Sequence, residues 1–281
     1  LCLDRKETND LPKNHLKLLN TSIFNFTKGC NGVAVSLEEA RAYPDNTWVI
    51  YGAGMIKAVK DCWENNTPFF YIDNQYLGNM RSKKQWHRII KDHVHDIRPI
   101  IERPRDRLEQ VIKYIQWAQL KRPELNPTLL DPKPFTSGRN ILIAPPSPKS
   151  FTLWNIDQQQ WIDQTVAEIK KYTDRPIKVR KKQGTRKTRT TLYQDVLEDK
   201  SIYCVVGYNS NALTEAVWAG VPVITLGNHI TNPVSRNSIE QINDLYRDDV
   251  SQWLCYLSYS QFTSEEIYNG TAKKILETWH V

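Results

Sequence analysis

The residues best suited to chemistry lie in the run 205–224, VVGYNSNALTEAVWAGVPVI. An apolar strand there leads through a glycine-containing turn into a helix rich in small residues, so a helix N-terminus follows a strand end. The unpaired backbone N–H groups and the positive dipole end of such an N-terminus bind anions. We therefore predict that this turn binds a phosphate group with help from the side chains of Ser210 and Asn211, and that Asn209 belongs to the same binding site.

A carboxylate on the same helix could hold a ribose. Glu215 follows Asn211 by four residues, which places both side chains on one helix face. There the carboxylate could accept hydrogen bonds from two ribose hydroxyls. The alternative is a helix that only packs, with Ser210 as its N-cap.

Seven basic side chains are concentrated in residues 178–189, directly after a predicted strand. The strand end would direct Arg180 or Lys182 toward the ligand, where a cation can neutralise a departing diphosphate. Arg186, Lys187 and Arg189 are interpreted as parts of a solvated loop. Ser147 lies in the proline-rich turn after another predicted strand, and we expect it to contact a phosphate as well.

A candidate general base, Asp73, lies directly after an apolar strand predicted at 68–72. Transfer to a hydroxyl needs a base that removes its proton, and strand ends in an open α/β sheet face the ligand crevice. The alternative role for Asp73 is an Asx turn that closes the strand. His93 is the second candidate base. It forms a His-x-His pair with His95, but no further ligand cluster accompanies the pair, so no metal site is predicted.

Residues 81–107 carry nine basic and four acidic side chains, interleaved with tryptophan and histidine. Cations and aromatic rings together suit a phosphate-rich acceptor such as DNA, whose target base would have to leave the duplex. The alternative is a solvated helix face with ordinary core aromatics. The acceptor-binding candidates of the first half are Gly52, Asn74, Tyr76, Arg81, Lys83, Lys84 and Trp86.

Three stretches of the sequence resemble glycosyltransferases. The run Ser-Asn…Glu-Ala…Ala-Gly-Val-Pro-Val within 210–223 resembles the S-x…E-A…G-x-P-V pattern of GT-B glycosyltransferases and of related nucleotide-sugar epimerases. Residues 71–79 resemble a YIDxGYFG stretch, and residues 253–266 an LAYxQWTxEE ending, both associated with phage glycosyltransferases. The resemblance implies a nucleotide-sugar donor, with a UDP-sugar preferred, and no required metal ion. It implies that Ser210 and Asn211 hold the diphosphate and that Glu215 holds the ribose.

The resemblance predicts an enzyme that moves a sugar from a nucleotide-sugar to a hydroxyl. The preferred acceptor is the hydroxymethyl group of a modified pyrimidine, such as 5-hydroxymethylcytosine, in phage DNA. Two alternatives stay open. One is a surface-polysaccharide or capsule-type transferase, and the other is a non-catalytic nucleic-acid-binding module on a degenerate transferase fold.

Apolar strands, among them those at 48–51 and 140–144, alternate with helices in both halves, which predicts an α/β protein with parallel sheets. One helix is predicted over 157–172 with Asp157 as its N-cap, and a helix near the end is predicted to start at a cap formed by Thr263 or Ser264. Four prolines and a glycine between residues 123 and 139 forbid a continuous helix or strand and indicate a linker. We predict two Rossmann-like domains facing each other across a cleft, an acceptor-binding domain at 1–137 and a nucleotide-sugar-binding domain at 138–281. The last helix is expected to pack back on the first domain. A nicotinamide or flavin site is excluded, because the turn at Gly52 lacks the third glycine of that fingerprint.

The composition limits the remaining classes. The 281 residues carry a net charge of +7, and 40% hydrophobic with 25% charged residues exclude a wholly disordered chain. Residues 1–137 hold 21 basic and 16 acidic side chains, which permits a polyanionic partner. Without a secretory signal or an apolar run of about 18 residues, a cytoplasmic protein with no membrane-spanning segment is expected. Five cysteines without a CxxC pair indicate free thiols, and the oligomeric state stays open.

Overall fold

The computed structural model divides the chain into two compact units. The first comprises Leu1–Gln75, Arg81–Asp96 and Tyr259–Val281, and the second comprises Tyr76–Met80 and Ile97–Ser258. Each unit contains one β-sheet together with helices, which confirms the α/β class. The residues that the structure describes are 2–4, 21–77, 86–119, 138–180, 192, 195–196, 199, 201–245 and 249–279.

The described strands and helices are as follows. The strands are β1 (Cys2–Asp4), β2 (Gly32–Ala34), β3 (Trp48–Tyr51), β4 (Phe69–Asn74), β5 (Trp86–Lys91), β6 (Asn140–Ala144), β7 (Ile177–Val179), β8 (Ile202–Gly207), β9 (Val223–Thr225) and β10 (Gln261–Thr263). The helices are α1 (Thr21–Gly29), α2 (Leu37–Arg41), α3 (Ile56–Asn65), α4 (Asp106–Gln119), α5 (Pro148–Leu153), α6 (Gln158–Ile169), α7 (Asn211–Trp218), α8 (Ser251–Ser258), α9 (Ser264–Tyr268) and α10 (Thr271–Trp279).

The first unit has a mixed sheet of six strands in the order β10-β5-β4-β3-β1-β2. The β3 and β4 strands run parallel and are connected through α3, whereas the other neighbouring pairs are antiparallel. One face of the sheet packs against α1, α9 and α10 in a core that includes Val49, Ile72, Ile89 and Phe262. This packing buries the apolar strands at 48–51 and 69–74 and leaves polar side chains at the end of β4.

The second unit has four parallel strands in the order β7-β6-β8-β9. Every residue of β8 is buried, as expected for a parallel strand covered on both faces. The chain leaves β6 toward β7 on one side, and β8 lies on the other side. The strand order therefore reverses between β6 and β8, and open α/β sheets bind ligands outside the carboxyl ends of the strands at such a switch point.

Several predicted elements are confirmed, whereas the parallel sheet expected in the first half is wrong. The strands at 48–51 and 140–144 match the sequence prediction residue for residue. The helix predicted over 157–172 is α6, and the N-cap Asp157 accepts a hydrogen bond of 2.7 Å from Gln160 N. In the first half, β5 returns antiparallel to β4, and five of its six residues are buried. The stretch was interpreted from its charges as a DNA-contacting segment or a helix face, which hid this strand.

The two units divide the chain differently from the predicted boundary at residue 137. The helix α4 belongs to the second unit because it packs on α8, where Arg107 Nε donates a hydrogen bond of 2.8 Å to Ser258 O. Residues 259–281 belong to the first unit because β10 pairs with β5 and because α9 and α10 join its core. A capping box at Thr263 and Glu266 starts α9, at one of the two cap positions that the sequence suggests.

Candidate functional site

The turns after β6 and β8 leave the second sheet side by side. Ala144, the last residue of β6, pairs in register with Gly207, the last residue of β8. The turns 145–147 and 208–210 therefore emerge together at the switch point, and they lead into α5 and α7. A Cβ atom at Gly207 would come within 2.7 Å of Leu213 Cδ2. Any larger residue here would therefore displace the Leu213 side chain of α7.

Both serines that were predicted to contact a phosphate cap helices. Ser210 Oγ accepts a hydrogen bond of 3.3 Å from Ala212 N, and Ser147 Oγ accepts one of 3.3 Å from Ser150 N. The packing alternative raised for Ser210 therefore describes part of its role. A hydroxyl that accepts a hydrogen bond still carries one O–H donor, so capping leaves Ser210 able to donate to a phosphate oxygen.

The side-chain amide of Asn209 is buried and unpaired. The residue is 3% exposed, and neither Nδ2 nor Oδ1 hydrogen-bonds to any part of the chain that the structure describes. Folded proteins pair the large majority of their buried polar side-chain atoms. Among the predicted donor-site residues that the structure describes, Asn209 is the one whose side chain has no hydrogen bond within the fold.

Glu215 and Asn211 share one helix, as the spacing predicts, but differ in exposure. Asn211 begins α7 and is half-buried, whereas Glu215 is 7% exposed. All residues of α7 from Ala212 to Val217 are buried. The predicted ribose-binding carboxylate therefore lies within the packed part of the helix and presents little of its surface to solvent.

Arg180 lies at the carboxyl end of β7, next to the switch point. Its backbone N–H donates a hydrogen bond of 2.8 Å to Ile143 O. Its guanidinium is ion-paired with Asp195, and its side chain is 12% exposed. The positive charge is thus compensated inside the protein and not presented to a diphosphate. Lys182 lies outside the described residues.

A buried polar network after β9 was not identified from the sequence. The hydroxyls of Thr225 and Thr231 are 2.8 Å apart, and His229 Nδ1 lies 2.8 Å from the Thr231 hydroxyl. Ser235 donates a hydrogen bond of 3.0 Å to Thr225. These residues do not form a recognisable sequence motif, and their contacts arise only in the folded protein. The network lies in the segment after β9, in which Gly227 is the neighbour of the Asn209 amide.

In the first unit, three hydrogen bonds hold Asp73 at the end of β4. Oδ2 accepts hydrogen bonds from Arg88 over 3.0 Å and from the Tyr71 hydroxyl over 3.3 Å. Oδ1 accepts one of 2.8 Å from Asn74 N. A carboxylate offers about four lone-pair sites, so one site remains for an incoming hydroxyl. The Asp73 side chain is 23% exposed and therefore reaches solvent.

Arg88 is the partner of Asp73 that the sequence analysis missed. It lies opposite Asp73 in the register of β4 and β5, its side chain is 4% exposed, and it donates a second hydrogen bond of 3.2 Å to Asn74 O. Two further arginines of the basic stretch, Arg103 and Arg107, are 7% and 5% exposed. The basic surface expected at 81–107 is therefore partly internal.

A buried histidine lies at the same end of the β4–β5 strand pair as Asp73. His87 is 2% exposed and pairs in register with Asn74. Its ring contacts Tyr51 edge-on, with the ring centroids 5.9 Å apart. Burial lowers the pKa of His87 below its ordinary value, and the opposing effect of the Asp73 carboxylate is smaller. The imidazole is consequently neutral at neutral pH.

The other candidate base, His93, lies at the opposite end of this strand pair. Asp73 pairs with Arg88 near the start of β5, whereas His93 follows Lys91, the last residue of β5. His93 Nδ1 lies 2.8 Å from His95 O, and burial lowers the pKa of the His93 ring. The structure thus separates the two candidate bases, and His93 lies away from the carboxyl end of β4.

The acceptor candidates have different environments. Tyr76 and Trp86 are 0% and 5% exposed, so both belong to the core and are not placed to contact an acceptor. Asn74 is exposed at the end of β4. Gly52 follows β3 with φ 73° and ψ 164°, a conformation that essentially only glycine adopts. The remaining candidates, which lie outside the described residues, are Arg81, Lys83 and Lys84.

Metal and thiol chemistry find no support in the part of the chain that the structure describes. No group of three or more His, Cys, Asp or Glu side chains there is arranged to hold a metal ion. The pKa of Cys62 and that of Cys204 are raised to about 12, mainly by burial, so these thiols stay protonated.

Among the described helices, none combines the length and the apolar composition needed to cross a membrane.

Comparison with known proteins gives no family assignment. No protein-family model matches the chain, and no curated protein is significantly similar to it. The functional interpretation therefore depends on the residues and their geometry.

Proposed function

We propose that the protein is a glycosyltransferase of the GT-B type, with a donor-binding second unit and an acceptor-binding first unit. The oxygen of an acceptor hydroxyl forms a bond to the anomeric carbon of a nucleotide-sugar. The bond between that carbon and the phosphate oxygen breaks, and the nucleoside diphosphate leaves. The hydroxyl proton passes to a base of the protein.

The observation that carries the proposal is the arrangement at the switch point of the second sheet. Two strand-to-helix turns meet there in register, and one contains the N-terminus of α7 with Ser210 as its cap. The positive end of the helix suits the diphosphate of a UDP-sugar, and the remaining O–H donor of Ser210 supports the same contact. In this proposal the helix end stabilises the leaving diphosphate, and no metal ion is invoked.

Asp73 is the base in this proposal. It lies at the carboxyl end of β4, reaches solvent and keeps a lone-pair site for the acceptor hydroxyl. Arg88 and Asn74 N fix the carboxylate in place, and a positioned base contributes more than a mobile one. Arg88 is thus a positioning residue, because it acts through Asp73.

Two acceptors are proposed, each on its own observation. The net charge of +7 favours DNA, with the hydroxymethyl group of a modified pyrimidine as the nucleophile. The burial of Arg88, Arg103 and Arg107 removes three cations from the surface and favours a glycan acceptor of the surface-polysaccharide kind.

The test is incubation of the full chain with a panel of nucleotide-sugars and with hydroxymethylated or unmodified DNA, followed by nucleoside mass spectrometry. A hexose-sized mass gain on the modified nucleoside, absent in Asp73→Asn, is the result expected for DNA. Hydrolysis of one nucleotide-sugar without a gain on DNA transfers the proposal to the glycan acceptor. The matched control is Asp61→Asn, which removes a carboxylate from the exposed ion pair with Arg41 and should keep full activity.

If the chain neither transfers nor hydrolyses any nucleotide-sugar, the proposed glycosyltransferase activity is refuted. If the same chain bound DNA with an affinity that falls steeply with salt, the nucleic-acid-binding module would replace the transferase. Circular dichroism of Asp73→Asn separates loss of the base from loss of the fold.

A further inference from the structure

The side chain of Asn209 is explained neither by capping nor by backbone conformation. The N-cap of α7 is Ser210, which already satisfies Ala212 N. Asparagine is common in turns because it tolerates a positive φ, yet the described non-glycine residues with positive φ are others, namely Asn31, Asn66, Asp92 and Asn155. The amide therefore requires a different explanation.

The surroundings of the amide are shaped around it. A Cβ atom at Gly227 would lie 2.7 Å from Asn209 Oδ1 and 2.8 Å from the ring of Tyr208. The absence of a side chain at Gly227 is what leaves room for the amide. Leu226 N donates a hydrogen bond of 2.8 Å to Gly207 O, which places the start of the segment after β9 beside the turn 208–210. The buried amide thus lies just after the carboxyl end of β8, next to Gly227.

A buried amide without partners destabilises the folded protein, because its groups have lost their hydrogen bonds to water. A bound ligand that supplies the missing hydrogen bonds would offset this cost. The amide offers two N–H donors on Nδ2 and one acceptor oxygen side by side. Its complement is a ligand edge that carries an acceptor next to a donor.

We propose that Asn209 is a specificity-determining residue that binds an adjacent donor and acceptor of the nucleotide-sugar, with the turn at Gly227 moving aside to admit them. This inference rests on the proposed function, because it assigns a contact in the same donor site. Two parts of the ligand present that edge. They are neighbouring hydroxyls of the transferred sugar and the imide edge of a pyrimidine base.

The experiment measures thermal stability and ligand affinity for Asn209→Leu. Leucine has the same number of side-chain heavy atoms as asparagine, branches at the same carbon and has no polar atoms, so the melting temperature should stay the same or rise. The Kd for UDP-glucose, measured by calorimetry, should increase about tenfold or more, since a binding hydrogen bond is lost. The Kd for UDP, which lacks the sugar, distinguishes binding of the pyrimidine base from binding of the sugar hydroxyls. It also increases if the base is bound, and it stays unchanged if the sugar is bound.

Two further variants keep the test informative. Gly227→Ala places a Cβ against the amide oxygen and should weaken UDP-glucose binding by a similar factor. Asn228→Leu changes an exposed amide of the same segment and should leave the Kd unchanged. If the wild type binds UDP-glucose and Asn209→Leu binds it equally well, the inference is wrong while the proposed function survives. A lower melting temperature for Asn209→Leu would also overturn it, because the amide would then stabilise the fold. If the wild type binds no nucleotide-sugar of the panel, both fail.

Discussion

Removing Arg88 alone should destabilise the first unit strongly. In Arg88→Met the hydrogen bonds to Asp73 and Asn74 O are lost, and the Asp73 carboxylate stays half-buried without its cation. Breaking a buried ion pair from one side costs about 3–5 kcal/mol. Because the Asp73 side chain is 23% exposed, solvent screens part of the loss. We expect a decrease of about 3 kcal/mol in the free energy of unfolding.

The assay is urea unfolding followed by tryptophan fluorescence, with a double-mutant cycle. The double variant Asp73→Asn/Arg88→Met removes the charge on both sides, so it should be about 2 kcal/mol less destabilised than the sum of the single variants. Arg41→Met is the matched control. Its ion pair with Asp61 has an arginine side chain that is 54% exposed, and its loss should cost less than about 1 kcal/mol.

The reasoning fails if Arg88→Met and Arg41→Met reduce the unfolding free energy equally. It also fails if the double variant is as unstable as the sum of the single variants. Either result would mean that Arg88 and Asp73 do not stabilise each other, and Asp73 would lose its positioning partner.

Three further predictions follow from burial. Thr214→Val should raise the free energy of unfolding by about 1 kcal/mol, because the Thr214 hydroxyl is buried and unpaired within the described residues. Thermal unfolding measures this change, and a lower free energy of unfolding would contradict the prediction. Phe262→Ala should cost about 3–5 kcal/mol, because this residue of β10 is fully buried; urea unfolding checks it, with Tyr268→Ala at a half-exposed position as control. Burial lowers the pKa of both His87 and His93 from 6.5 in the folded protein. Below that pH the unfolded chain therefore binds more protons than the folded chain, so the free energy of unfolding should fall on acidification from pH 7 to 5. His87→Gln should flatten this pH dependence, and an unchanged slope would contradict the assignment.

The second unit could be predicted well from the sequence, for a physical reason. Strands buried on both faces are continuous apolar runs, and Asn140–Ala144 and Ile202–Gly207 have that composition. Helix caps are also local, so Asp157 and Ser210 could be assigned from their positions alone. The register that brings the turns 145–147 and 208–210 together follows from the parallel order of the sheet.

The first unit was harder to predict because one of its buried strands, β5, contains charged residues that are typical of a protein surface. The run Trp-His-Arg-Ile-Ile in β5 has the aromatic and β-branched composition of a strand, but Arg88 indicated a surface segment. A buried arginine is accepted there only because Asp73 lies opposite on β4, a contact that depends on tertiary pairing. The unpaired amide of Asn209 is likewise invisible in sequence, since burial and the lack of partners are properties of the fold.

The pairing of β10 with β5 has a consequence for synthesis on the ribosome. Apart from Tyr76–Met80, which leave the ribosome earlier, the second unit is the continuous segment Ile97–Ser258, so it can fold as it emerges. The first unit must wait, because Phe262 and the two helices after it complete its core only when the end of this sequence has left the ribosome. Until then β5 presents an unpaired edge, which other chains can bind. Nascent chains should therefore need protection by a chaperone at β5 until β10 arrives.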